Sequence, residues 1–294
     1  MILRELTIIV VLYNKKINES DTLISLLDFN FSHTKLIIHN NGPEEVFVTD
    51  YWSEKFNDKF SDFQLINCIE NKPLSILYNE CIENERDSKR FLILDDDTIL
   101  NSDMLQCAST LNYHLELPKI ISTNDGKPYY PLLKGEVIKK NELCLSGNDV
   151  VSIGSGLIIN SKLIDLFEKH AEKLFDESFA LYGVDSSFFR KLSRISKLEN
   201  IVIASHTYIN HSLSRVEKKQ AIYETKERVI DIAISFRRYP NRHLAYVFLV
   251  MICKNLVDFN FTNIIMIMKL MIKPIHPRVV TWRVNNKQKI NNLK

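Results

Sequence analysis

The run Phe91-Leu92-Ile93-Leu94 leads straight into three carboxylates, Asp95-Asp96-Asp97, whose type and spacing imply chemistry more directly than any other stretch. Adjacent acids repel, so a triplet that stays ionised needs a cation beside it, either Lys/Arg or a hard metal ion bound through oxygen. Along an extended chain Asp95 and Asp97 point to one side and Asp96 to the other, so two carboxylates can converge on one ion while the third takes another partner. The plainer alternative is a solvated acidic turn in which Asp97 caps a helix. Another carboxylate, Asp185, stands between Tyr182-Gly183 and Ser186-Ser187, with Val184, Phe188 and Leu192 on one helical face. It reads as a helix N-cap, a place compatible with chemistry. His206 and His211 follow a short apolar strand. His211 is the better candidate for a metal contact, against the commoner outcome of a lone structural histidine.

These groups need a scaffold, and the chain supplies one. Residues 6–12 are a continuous β-branched run, expected to form a central parallel strand, and a helix is expected from Ser20 on, with Leu23, Leu26 and Leu27 at helical spacing. Residues 35–39 make a second strand, stopped by Asn40-Asn41-Gly42-Pro43, and residues 63–69 make a third. Pro73 precedes a helical face of Leu74, Leu77, Tyr78, Cys81 and Ile82, and the fourth strand runs into the acids. The order strand, helix, strand, strand, helix, strand predicts an α/β fold with a mostly parallel sheet flanked by helices. Parallel strands share a direction. Tyr13-Asn14, Asn40-Asn41-Gly42, Glu70-Asn71 and the acids would therefore gather on one edge, where open α/β sheets bind ligands.

Further on, Asn124-Asp125-Gly126, Pro128 and Pro131 predict loops with short strands over 119–148, expected to shape a binding site. Residues 150–159 read as one more strand, in which Gly154, Ser155 and Gly156 mark either a bulge or a close approach of ligand. Asn160-Ser161 caps a helix carrying Leu163, Leu166 and Phe167. A helical pattern follows over 217–236, and then two apolar runs, 244–253 and 264–272, each too short to span a bilayer. These runs predict a pair of C-terminal helices that either pack on the rest of the protein or attach it peripherally to a membrane.

Taken in order, Val11-Leu12-Tyr13-Asn14, Asn40-Asn41-Gly42, Asn71-Lys72-Pro73 through Asn79, and Leu94-Asp95-Asp96-Asp97 give the chain its family likeness. It resembles the nucleotide-sugar-dependent glycosyltransferases of family 2, of bacterial surface-polysaccharide type, which have the GT-A fold. The resemblance covers residues 5–215. It implies a GT-A catalytic domain over 1–215, with a nucleotide-binding half to about residue 100 and an acceptor half over 101–215. A helical C-terminal region with a basic tail, 216–294, follows. On this resemblance Tyr13, Asn14, Asn41, Asn71, Asn79, Asp95 and Asp96 would bind the nucleotide-sugar. Asp97, with Asp95 and His211, would hold Mn2+ or Mg2+. Gly154, Ser155, Gly156 and Tyr182 would meet the sugars, and Asp185 would be the catalytic base. A UDP- or dTDP-linked donor leaves as a diphosphate, and a hard cation stabilises the charge that develops on it. One candidate base implies inversion by direct displacement, since a covalent intermediate needs a second carboxylate. The implied acceptor is a saccharide or lipid-linked saccharide in O-antigen or capsule biosynthesis.

Two other classes are weighed against this one. A nucleotidyltransferase of related fold would carry a glycine-rich basic loop; the chain has seven glycines, and Tyr13-Asn14-Lys15-Lys16 is not such a loop. A non-enzymatic membrane-surface binding protein is the other. The net charge of +2 hides an asymmetry, because no acid follows Asp258 while seven Lys and Arg do, leaving −5 for the rest. That basic end suits an anionic membrane surface, and with few aromatics interleaved no nucleic-acid partner is expected. No basic region or cleavage site follows Met1, so no signal peptide is expected. The five scattered cysteines read as mostly buried free thiols in a reducing compartment. The expected location is cytoplasmic, peripheral on the inner face of the membrane.

Overall fold

The computed structural model describes residues 4–213 and 222–292. Their contacts separate into two compact units, one of residues 4–71, 79–174 and 191–213, the other of 72–78, 175–190 and 222–292.

The first unit is built on four parallel strands, β1 (Leu6–Leu12), β2 (Phe31–Asn40), β3 (Phe60–Asn67) and β4 (Arg90–Asp95), in the order β3-β2-β1-β4. Every residue of β1 is buried, as a Leu-Thr-Ile-Ile-Val-Val-Leu run must be when both faces of a sheet are covered. Three crossover helices make the parallel order possible: α1 (Asp21–Leu26), α2 (Asp50–Lys59) and α3 (Leu74–Asn84). Ser20 caps α1 by accepting from the Leu23 amide. The sequence reading did not include α2. Its ten residues bury only Phe56, so they show no apolar stripe, although two parallel strands cannot be joined without such a crossover.

Beyond β4 the sheet becomes mixed. Strand Ile158–Asn160 runs antiparallel to β4, followed outward by Leu115–Glu116, Ile203–Ser205 and Glu142–Leu143. A separate sheet of four strands is ordered Thr98–Ile99, Tyr208–His211, Lys119–Ser122, Pro128–Tyr130. The single strand read over 150–159 is in fact two. Val150–Val151 pairs with Leu132–Leu133 in a small third sheet, and only Ile158–Asn160 joins the main one. The break falls at Gly156, whose φ of +89° is left-handed. A Cβ there would come within 2.6 Å of Ile209 Cδ1 and 2.7 Å of Pro118 Cγ. Gly156→Ala is therefore expected to cost about 3 kcal/mol, from backbone strain and overpacking together. Urea unfolding checks this, and an unchanged midpoint would show that the loop yields without cost.

In the second unit, helices Ile222–Arg238, Arg242–Val257, Phe261–Ile272 and Pro277–Asn292 accompany the start of helix Gly183–Ile195. The reading of 217–236 as helical falls partly on 217–221, outside the described residues. Pro277–Asn292 corrects the expectation of only two C-terminal helices ahead of a basic tail. Its polar and basic composition masks it, while Pro277 suits a first helical position and Val279 is buried with Ile76 and Ala180. Asp185 is also corrected: it lies inside the first turn of its helix and is not the N-cap. The thiols are all free, but only Cys68 and Cys81 are buried, Cys144 and Cys253 being exposed. Cys144 follows a two-residue edge strand, and Cys253 lies on an outward helix face.

Candidate active site

Register alone brings the strand ends together. Leu12 pairs with Asn40, Asn40 with Asn67, and Val11 with Asp95. Hydrogen bonds then link the tips: the Asn14 amide donates to Gly42 O at 2.8 Å, the Asn41 amide to Leu12 O at 2.8 Å, and Asn41 Nδ2 to Asn71 Oδ1 at 3.4 Å. Asn14 and Asn71 have left-handed φ values of 55° and 52°, which asparagine tolerates better than most residues. Asn40 is a fastener inside this edge. Its Nδ2 donates to Glu44 O and Asn67 Oδ1, and its Oδ1 accepts from the Gly42 amide.

Asp95 ends β4, and Asp96 and Asp97 form the turn into Thr98–Ile99. The turn is held from beneath. Thr22 Oγ1 donates to Asp95 O and accepts from the Thr98 amide, Ser20 Oγ donates to Asp96 O, and Ser155 Oγ accepts from the Asp95 amide at 3.0 Å. Asp96 takes the separate partner that alternation predicted. Lys15 Nζ donates to it at 2.6 Å and the Tyr13 amide at 3.1 Å. Nothing local marks Lys15, rather than its neighbour Lys16, as that partner.

His211 arrives from the far end of the unit. Strand Tyr208–His211 pairs antiparallel with Thr98–Ile99, setting His211 opposite Thr98 and so beside Asp97. Its Nδ1 lies 3.0 Å from Asp97 Oδ1 and 3.2 Å from Thr98 Oγ1, and its Nε2 lies 3.8 Å from Asp95 Oδ2. The start of this strand is clamped by Glu116, a fully buried side chain. Its Oε1 accepts from the His206 amide at 2.6 Å, the Thr207 amide at 2.9 Å and Thr207 Oγ1 at 3.0 Å, while Oε2 accepts from Tyr113. His206 faces that clamp, with Nδ1 3.3 Å from the Tyr113 hydroxyl. The clamp carries no local sequence signal, because the His206 and Thr207 groups that Glu116 holds lie about ninety residues later.

Asp95 keeps 44% of its side-chain surface open, yet protein crowds the carboxyl itself. That desolvation pushes it up to about 6, with His211 opposing and Asp97 and Asp96 adding. Burial works against a charged His211, but Asp97, Asp95 and Asp96 outweigh it and hold the imidazole above its ordinary value. The cluster is thus short of positive charge. Asp97 Oδ1 is buried and has no well-directed hydrogen-bond donor among the described residues, its nearest cation being His211 Nδ1. One donor atom from each of Asp95, Asp97 and His211 lies within 4.8 Å of the others. Side-chain movement that draws the three together would let them share one ion. Two oxygens and an imidazole suit a hard or borderline divalent ion.

Neither a protein-family model nor a curated protein matches the sequence. Solved structures do match the architecture. The Staphylococcus aureus TarS fragment 1–349 superposes with a TM-score of 0.51 at 14% identity, over 79% of this chain and 80% of that one. The same fragment with UDP gives 0.53 at 14% identity, over 85% and 71%. GalNAc-T7, solved with UDP, GalNAc and Mn2+, gives 0.50 at 12% identity, over 81% and 49%. This chain has the GT-A glycosyltransferase fold. The GT-A architecture brings Tyr13, Asn14, Asn41, Asn71 and the three acids to linked strand ends and adds His211 to them. Of the other residues expected to bind, Asn79 is buried in α3 and lines a small cavity with Arg86, Ile164 and Glu168. Gly154, Ser155 and Gly156 form a buried loop, with the Ser155 hydroxyl 2.8 Å from Thr98 Oγ1. Tyr182 and Asp185 belong to the second unit, where Arg228 lies over the Tyr182 ring at 5.1 Å.

Proposed function

We propose that the protein is an inverting, metal-dependent glycosyltransferase of the family 2 kind. In this reading it moves one sugar from a UDP- or dTDP-linked donor to a saccharide or lipid-linked saccharide acceptor during O-antigen or capsule assembly. The observation that carries the reading is the cluster of Asp95, Asp97 and His211 at the end of a parallel strand in a GT-A fold. UDP in the TarS complex, and UDP with Mn2+ in GalNAc-T7, support a UDP donor and a divalent ion.

In this mechanism Asp97, Asp95 and His211 would hold the ion, which when bound would offset the charge of the departing diphosphate. Asp96, fixed by Lys15, keeps the turn rigid so that the flanking carboxylates stay convergent. We assign Tyr13, Asn14, Asn41, Asn71 and Asn79 to the nucleoside and ribose. Gly154, Ser155, Gly156 and Tyr182 are assigned to the walls of the sugar site. Asp185 is assigned the proton of the acceptor hydroxyl, and one carboxylate in that role suffices for displacement with inversion at the anomeric carbon.

Calorimetric titration of UDP and dTDP with and without Mn2+ tests the reading. Binding about tenfold or more tighter with the metal is expected, because a hard cation held at this cluster would offset the charge of the diphosphate. Failure of every nucleoside diphosphate to show metal-dependent binding would remove the enzyme reading.

A further inference from the structure

The second unit presents two consecutive helices that are apolar on both sides. Helix Arg242–Val257 turns Leu244, Phe248 and Met251 inward, as a packed helix should, yet its outward stripe is Tyr246, Leu249, Val250 and Val257. Helix Phe261–Ile272 repeats the arrangement, with Ile267 and Leu270 inside and Ile265, Met268 and Ile272 outside, the last 86% exposed. A surface helix ordinarily shows charge on its outer face, and one that is apolar all round expects cover. The connection between the helices carries Phe259 at 76% exposure and Phe261 beside it, ring centroids 6.4 Å apart.

This hairpin is braced from within. Asn263 Nδ2 donates to Asn255 Oδ1 at 2.7 Å, both side chains being buried, and Asn255 Nδ2 donates to Met251 O. Asn260 caps the second helix by accepting from the Asn263 amide. The tip aromatics are therefore held outward by a fixed turn instead of folding back over the helices.

Charge decides what covers this face. Lys254, Lys269 and Lys273 are exposed around it, and Asp258 is the one acid in the sequence from 242 to 292. The cores of protein–protein interfaces are depleted of lysine, whereas at a bilayer surface lysine stems lie along the apolar zone and their ammonium groups reach lipid phosphates. Neither helix is long and apolar enough to cross a membrane. We propose that the hairpin Arg242 to Ile272 is a monotopic docking element. It lies in the plane of an anionic leaflet, with its outward stripes and the Phe259–Phe261 tip at the acyl boundary and the three lysines at the headgroups.

Flotation of the full chain with vesicles tests this independently of any transferase activity, using phosphatidylcholine alone or mixed with phosphatidylglycerol. The wild type is expected to bind the anionic vesicles and to be released in part by high salt. The double variant Phe259→Asn with Phe261→Ser is expected to lose at least about tenfold in partitioning, two buried aromatic rings being worth more than 1.4 kcal/mol. Lys254→Gln, Lys269→Gln and Lys273→Gln together should erase the preference for anionic lipid, while Leu198→Ser, an exposed apolar residue of the first unit, should change nothing. Wild type that floats with neither vesicle, or binding unaltered in the tip variant, overturns the proposal. So does a defined oligomer that the tip variant dissociates while vesicles stay bare, which would make this face a contact between copies.

Discussion

Asp97→Ala is expected to lower sugar transfer about a thousandfold and to abolish the metal dependence of nucleoside diphosphate binding. A cation at a developing diphosphate is worth several kcal/mol of transition-state stabilisation, and about 4 kcal/mol corresponds to three orders of magnitude in rate. Asp97 is one of the three proposed ligands, and its carboxylate is less committed than that of Asp96. Its Oδ1 is buried without a directed donor, whereas the Asp96 carboxylate is committed to Lys15 and the Tyr13 amide. Removing one of three crowded acids also relieves repulsion, so the urea midpoint should hold while activity falls. Steady-state turnover and calorimetry with Mn2+ read the two effects separately. Retained metal-dependent binding in the variant would place the ion at other ligands.

The second large effect is expected at Asp185. Asp185→Asn keeps the shape of the side chain and removes its capacity to accept a proton, so transfer should fall by about 10²- to 10⁴-fold, the range of a single general base. Donor affinity should not move, because the ligands named for the donor lie on other residues. The helix itself is anchored by Val184, Phe188 and Leu192, all fully buried, so the substitution leaves its fold intact. A variant that turns over normally would send the search for the base to another carboxylate, and one that loses donor binding would make Asp185 a binding residue instead.

What the sequence disclosed and what it hid follow from how far each signal reaches along the chain. The bounds of β1 could be read to the residue, because a strand covered on both faces is a continuous apolar run with polar ends. The same logic located the end of β4 and its acids. By contrast, α2 buries one phenylalanine and leaves no periodic trace, and Pro277–Asn292 looks like a charged tail until Val279 is seen packed. The strand expected over 150–159 failed at one residue, since the left-handed backbone at Gly156 stops a ladder that the side chains alone would continue. In the site, alternation along an extended chain correctly separated Asp96 from its neighbours. Lys15 as the partner of Asp96, and Glu116 as the clamp of the His211 strand, were not legible. Each depends on a contact spanning eighty residues or more.

That long span has a consequence for how the protein is made. The contact between Thr98 and His211 bridges 113 positions, so a ribosome that has finished β4 has displayed both acids long before it supplies the imidazole. Affinity for a divalent ion would then arise late in synthesis, when the small sheet closes, and chains released before that strand is added would carry an acidic turn unable to hold the ion with three ligands.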